Sequence, residues 1–403
     1  MEITKNKLAL FGAGKIGRSF IGQLFSVGGY EVVFIDIFKP VIDELNHRNN
    51  YNVVIKSGTD QILNIKNVRG VSLTDGEKVI YEVATAGIVA ISVGLGGLKD
   101  LFPLLAKGLL ERYKLDQNYA LDIIIAENMR DADNYFHSEL TKLLPENYPL
   151  EKLVGFVETS IGKMVPIMQK KDIEADFLQI FAEPYNTLIV SKKAFRNPIP
   201  KVEGLSPKEN IKAWVDCKLF IHNLGHATAA YLGYLHNPGF CYLYEALDIP
   251  EIYDQVRATM LQSADILIKK YPDEFTPESL IGHIDDLLSR FRNKALGDTI
   301  FRVGCDLMRK LGSEDRLAGA INLALTFNLP YDKILYSLIC GCHFRAKDEY
   351  GNMHKNDVKF ARIYDSGIDK VLITVCGFNE SQNKQLFLKA TIFDRSLKNR
   401  GDI

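Results

Sequence analysis

The segment Asp216-Cys-Lys-Leu-Phe-Ile-His-Asn-Leu-Gly-His-Ala combines a lysine, an amide and two imidazoles within one helical stretch. At about 100° per residue, His222, His226 and Asn223 lie about 40°, 80° and 140° round the helix from Lys218. Oxidation of an alcohol needs a base for the hydroxyl proton and donors for the oxygen as charge develops on it. A desolvated lysine supplies the first, because burial lowers its pKa toward the working pH. An amide and an imidazole supply the second. The spacing leaves the choice between His222 and His226 open, and a partly exposed polar stripe has the same pattern. The i, i+4 histidines also match half of a zinc helix. However, Asn223 stands where that motif needs Glu, and Lys218 puts a cation one turn away, so no metal is expected.

A second candidate is Ile124-Ile-Ala-Glu-Asn-Met. Glu127 and Asn128 follow an apolar run, and the Asn128 amide can donate to a reacting oxygen or cap the helix that follows. Ile91-Ser-Val-Gly-Leu-Gly-Gly ends another run in small residues. Val93 and Gly94 there are expected beside a cofactor.

The cofactor is indicated near the start of the chain. Gly12, Gly14 and Gly17 form GxGxxG between a short apolar run and a helical pattern, and Asp36 ends the next apolar run about twenty residues on. Gly12 permits the turn, Gly14 lets the backbone approach a pyrophosphate, and Gly17 lets helix and strand pack closely. Ala13, Lys15 and Ile16 complete the loop at the positive end of the helix. An acid at Asp36 accepts hydrogen bonds from ribose hydroxyls and repels a 2′-phosphate. NAD is therefore expected over NADP, although Lys39, just beyond, is a cation that tolerates the phosphate.

These residues need a scaffold, and its outline is readable. Apolar β-rich runs at 7–11, 31–37, 88–93, 121–126 and 152–157 alternate with helical patterns, as in a parallel sheet covered by helices. Residues 50–80 break the rhythm and suggest an antiparallel insertion, and further short strands are expected at 177–182 and 186–191. The segment 197–207 holds three prolines and reads as a linker or crossing segment. Beyond it come amphipathic stretches at 208–235, 249–271, 276–292 and 314–342, while 389–393 fits a strand or a helix end. The fold class is therefore α/β: a Rossmann-type dinucleotide-binding domain over 1–200 and a mostly α-helical substrate domain over 201–403.

Composition limits the rest. With 403 residues, 47% hydrophobic and a net charge of −1, the chain is an ordinary globular protein with no basic field for nucleic acid. No apolar run reaches the ~18 residues of a membrane helix, and the first residues lead into a strand without a signal-peptide pattern. A cytoplasmic protein is expected. The six cysteines are scattered, as for reduced thiols. Cys340-Gly-Cys342-His343, their one tight cluster, has no second chelating pair and reads as packed helix.

Taken together, the segments resemble the polyol-specific long-chain dehydrogenases over most of the chain. The likeness rests on Phe11-Gly-Ala-Gly-Lys-Ile-Gly-Arg-Ser-Phe-Ile-Gly, Ser92-Val-Gly, Ala126-Glu-Asn and the K-x4-N-x2-H signature at Lys218, Asn223 and His226. It extends to Arg290-Phe-Arg-Asn, Asp298-Thr, Arg302-Val-Gly and Arg309-Lys-Leu. The resemblance implies metal-independent, NAD-dependent hydride transfer, with Lys218 as general base, Asn128 and Asn223 polarising the oxygen, and His226 rather than His222 orienting the substrate. It also sets Arg302 and Lys310 in the substrate pocket, where their charge suits a small polyol or ketose phosphate. A monomer or homodimer is expected. The family usually has Asp-Arg where this chain has Gly162-Lys163, and often Trp where it has Leu188. Lys163 keeps a cation for a phosphate with altered geometry. The alternatives are a relative acting on free mannitol or a hexuronate, or a non-catalytic NAD-binding regulator, against which the intact signature argues.

Overall fold

A computed structural model describes residues 2–400 of the chain. Strands β1 (Thr4–Phe11), β2 (Glu31–Asp36), β3 (Asn50–Ile55), β4 (Gln61–Lys66), β5 (Val68–Ser72), β6 (Ala86–Ile91), β7 (Leu121–Ile125), β8 (Val154–Ser160), β9 (Ile180–Ala182), β10 (Leu188–Ser191) and β11 (Leu205–Lys208) form two sheets. The larger runs β11-β10-β8-β7-β6-β1-β2-β5. Six of its strands, from β5 to β8, are mutually parallel, and β10 pairs antiparallel with β8. With β5 and β6 counted as third and fourth, the order is the 3-2-1-4-5-6 of the doubly wound dinucleotide fold.

The sequence reason is visible in β1. Leu8 and Leu10 enter the core on one face of the sheet, Ala9 and Phe11 the core on the other, and all four are fully buried. A strand covered on both faces reads as continuous apolar residues, which is why these runs stood out.

Residues 50–80 behave as expected only in part. β3 and β4 form the antiparallel pair, with β9 parallel on the other side of β3, but β5 leaves the insertion and joins the main sheet beside β2. The proline-rich segment is also more than a linker. Its end forms β11, and its start is pinned by buried Asp122, whose carboxylate accepts from the Arg196 and Asn197 amides at 2.7 and 3.1 Å.

The chain divides into two compact units between Val215 and Asp216. The second is built of helices, among them Leu224–His236, Pro250–Lys270 and Pro277–Phe291. The stretch 314–342 is two helices, Ala318–Phe327 and Asp332–Cys342. Asn328 with φ 53° ends the first, and Pro330 in the short connection cannot continue it. Residues 389–393 lie inside the helix Lys384–Arg400.

Candidate active site

In the first unit the glycine-rich turn follows β1. Gly12 has φ 100°, and a Cβ there would run into the Ser92 carbonyl. A Cβ on Gly17 would meet the Gly12 carbonyl, whereas Gly14 is exposed with nothing within 4 Å of where its Cβ would stand. Turn, packing and open approach thus fall on the three glycines as expected. Ala13 is buried, Lys15 exposed and Ile16 partly buried. The Asp36 carboxylate accepts from the Ala13 amide at 2.6 Å through Oδ2 and from the Phe38 amide at 2.8 Å through Oδ1. Each oxygen keeps acceptor capacity for a ribose hydroxyl. Beneath the turn, the Ser92 hydroxyl is a buried polar group without a hydrogen-bond partner. The open Gly14, the fixed acid and this hydroxyl fit a dinucleotide. Lys39 ion-pairs with Asp43 at 2.6 Å on the surface.

Two residues in this unit have structural roles that the motif did not announce. Arg18 donates to the Ala13 carbonyl at 2.8 Å and to the Leu178 carbonyl at 2.6 Å, bracing the turn. Glu127 is buried, and its Oε1 accepts from the Val93 amide at 2.7 Å and the Gly94 amide at 2.9 Å. Burial raises its pKa while the two amides oppose the rise. The acid therefore clamps the loop at 93–94, and exposed Asn128 follows it directly. Lys163 is buried, donates to Asn186 Oδ1 at 2.9 Å and lies 5.1 Å from the Phe20 ring centroid. Leu188 is fully buried in β10.

The second unit carries the Lys/Asn/His signature, and here the helix differs from the sequence expectation. Residues Lys218–Asn223 form a π turn leading into the α-helix Leu224–His236. A straight α-helix puts Asn223 well round from Lys218. The wider turn, bonded i to i+5, brings the fifth residue back toward the lysine's face. K-x4-N is thus the spacing of a π turn, a signal that α-helical angles missed.

Buried Asp216 starts this segment, accepting from Lys270 Nζ at 2.8 Å and from the Tyr271 hydroxyl at 2.7 Å. Gly225 sits where a Cβ would collide with the Met260 side chain, so the helix Pro250–Lys270 packs closely here. Lys218 is pushed down to about 8, first by burial and then by Arg316, with Asp315 opposing and Arg309 assisting.

His222 and His226 are separated by their partners. The His222 ring packs edge-on to Phe291 at 5.4 Å, and burial holds its pKa well below the usual imidazole range. His226 stacks flat on Phe291 at 4.6 Å, and its Nε2 is 2.9 Å from Asp298 Oδ2. Asp298 Oδ1 ion-pairs with Arg302. Burial, followed by the Arg302 and Lys310 charges, lowers the His226 pKa and keeps the ring neutral. Lys310 is buried and donates to the Val303 carbonyl at 2.6 Å; burial pushes it down to about 8. Arg316 holds Asp315 at 2.8 Å.

The structure thus gathers Gly12, Ala13, Gly14, Gly17 and Asp36 at the carboxyl ends of the neighbouring strands β1 and β2. In the second unit, His226 lies against Phe291 and Asp298, Arg302 pairs with the same Asp298, and Lys310 bonds the nearby Val303 carbonyl. Fold and turn define a dinucleotide-binding domain of the Rossmann type. The chain belongs to the mannitol dehydrogenase family: the family's Rossmann domain matches residues 6–204 and its C-terminal domain residues 210–384. Solved structures similar to it include D-sorbitol dehydrogenase in substrate-free form, at 16% identity and TM-score 0.81, over 99% of this chain and 94% of that one. Another is Pseudomonas fluorescens mannitol 2-dehydrogenase in ternary complex with NAD and D-mannitol, at 15% identity and TM-score 0.73, over 99% and 93%. At these identities the likeness is one of fold. Among the described residues no helix is long and apolar enough to cross a membrane.

Proposed function

We propose that this NAD-dependent polyol dehydrogenase interconverts D-mannitol 1-phosphate and D-fructose 6-phosphate, as a mannitol-1-phosphate 5-dehydrogenase, with Lys218 as general base. The observation that carries the reading is the placement of partly buried Lys218 in the π turn that also holds Asn223, and desolvation there pushes the lysine down to about 8. NAD, when bound, supplies the hydride acceptor in oxidation and the donor in reduction. In oxidation Lys218 takes the hydroxyl proton, while the Asn128 and Asn223 amides donate to the oxygen as it gains charge. In reduction protonated Lys218 returns the proton. Neutral His226 orients the substrate by hydrogen bonding. Gly12, Ala13, Gly14, Lys15, Ile16, Gly17, Asp36, Val93 and Gly94 hold the dinucleotide, with Asp36 favouring NAD. Arg302, Lys310 and Lys163 are the cations assigned to the phosphate or the distal hydroxyls. Free thiols at all six cysteines support a reducing, cytoplasmic setting.

A second reading keeps the chemistry and changes the substrate to free mannitol or a hexuronate. It is favoured by Gly162-Lys163 in place of Asp-Arg, and by Lys310, whose ammonium is already engaged by the Val303 carbonyl. NADH oxidation with fructose 6-phosphate, fructose and fructuronate at equal concentration separates the two. The leading reading expects kcat/KM on the phosphosugar to exceed the others by at least ~100-fold, because a site built for a charged group is left unpaired without it. Turnover confined to an unphosphorylated ketose overturns it.

A further inference from the structure

Buried Ser263 lies on the helix Pro250–Lys270 and donates its hydroxyl to the Phe220 carbonyl at 2.6 Å. Phe220 is in the middle of the π turn. A serine or threonine inside a helix commonly bonds back to the carbonyl four residues earlier. Thr259, one turn before, does so to Gln255 at 2.8 Å. Ser263 instead reaches across to another helix. Its neighbour Met260 packs on Gly225, just beyond the same turn, and the Phe220 ring lies where a Cβ on Gly319 would stand. The turn is therefore held at its carbonyl, at its ring and at the glycine that follows.

π turns are rare because widening a helix displaces its i to i−4 bonds, and they persist where another group compensates. We propose that Ser263 is a positioning residue: its bond to the Phe220 carbonyl stabilises the π turn that keeps Lys218 and Asn223 on one face. The proposal rests on the reading of Lys218 as base. Without the hydroxyl, relaxation to an α-helical register returns Asn223 to about 140° round the helix from Lys218.

The test measures Ser263→Ala and Ser263→Thr in the full-length protein by steady-state kinetics, pH–rate profile, thermal melting and NADH titration. Ser263→Ala is expected to lower kcat by about tenfold or more, the size of one lost buried hydrogen bond. The pH inflection of kcat/KM should move, and the NADH Kd should stay within about twofold, because Ser263 touches none of the residues assigned to the dinucleotide. Ser263→Thr, which keeps the hydroxyl, should recover most of the rate. An unchanged kcat and pH profile in folded Ser263→Ala overturns the proposal, as does an equal loss in both folded variants. If Ser263→Ala does not fold, Ser263→Cys keeps the volume with a weak donor and must show the same loss and shifted inflection. Lys218→Ala, run alongside, separates the two claims: full activity in that variant defeats the base assignment, whereas its inactivity beside a normal Ser263→Ala defeats only the positioning role.

Discussion

His226 Nε2 and Asp298 Oδ2 lie 2.9 Å apart, and the other Asp298 oxygen is paired with Arg302. The two atoms are within ion-pair reach but not aligned as a hydrogen bond, so the carboxylate acts on the ring through its charge. Asp298→Asn should therefore raise KM for the polyol and lower kcat/KM by about 10–100-fold, a loss of ~1.4–2.8 kcal/mol. NADH binding should be unaffected. Steady-state kinetics beside a fluorescence titration of NADH checks both, and a purely additive effect with His226→Ala would mean that the pair does not act as a unit.

Asp36 is fixed by two backbone amides, and the nearest following lysine is taken by Asp43. If Asp36 reads the ribose as proposed, Asp36→Ala removes both the acceptor for its hydroxyls and the repulsion of a 2′-phosphate. The expected result is a fall of about tenfold in kcat/KM with NADH and a gain with NADPH. The ratio of the two cofactors in wild type and variant is the readout. An unchanged preference would mean that discrimination lies elsewhere.

Glu127 holds the Val93 and Gly94 amides, and its value depends on those two bonds. Glu127→Ala leaves two partly exposed N–H groups without their acceptor, at a cost of about 1 kcal/mol each, since water replaces part of each bond. The cofactor loop should loosen, raising the NADH Kd by about tenfold or more. Glu127→Gln retains a carbonyl oxygen and should recover most of the affinity. Equal losses in the two variants would show that the charge, not the acceptor geometry, matters.

The parallel sheet was legible because strands buried on both faces are continuous apolar runs, and because GxGxxG followed by an acid has few other uses. β5 was not, since Val-Arg-Gly-Val-Ser carries a charge and a glycine and is only five residues long. The break at Asn328 was hidden in an apolar stretch that has helical character on both sides. At the site, Lys218, Asn223 and His226 were visible as residue types, but the π turn was not, because periodicity analysis assumes one angle per residue. Asp298, Ser263 and Arg316 act on partners far away in sequence, and spacing carries no trace of such pairings. Glu127 was visible as a residue but not as a clamp, for the same reason.

The most direct test of the central claim follows both directions of reaction against pH, in wild type and Lys218→Ala. With Lys218 at about 8, oxidation needs the neutral amine, so its kcat/KM should rise as pH increases through about 8 and level off above. Reduction needs the ammonium, so its kcat/KM should be highest below about 8 and fall above it. Lys218→Ala should lose ~10²–10⁴-fold in turnover and show neither inflection, while binding NADH normally. A Lys218→Ala enzyme that keeps its turnover, or keeps the same opposed inflections, would contradict the assignment of Lys218 as the base.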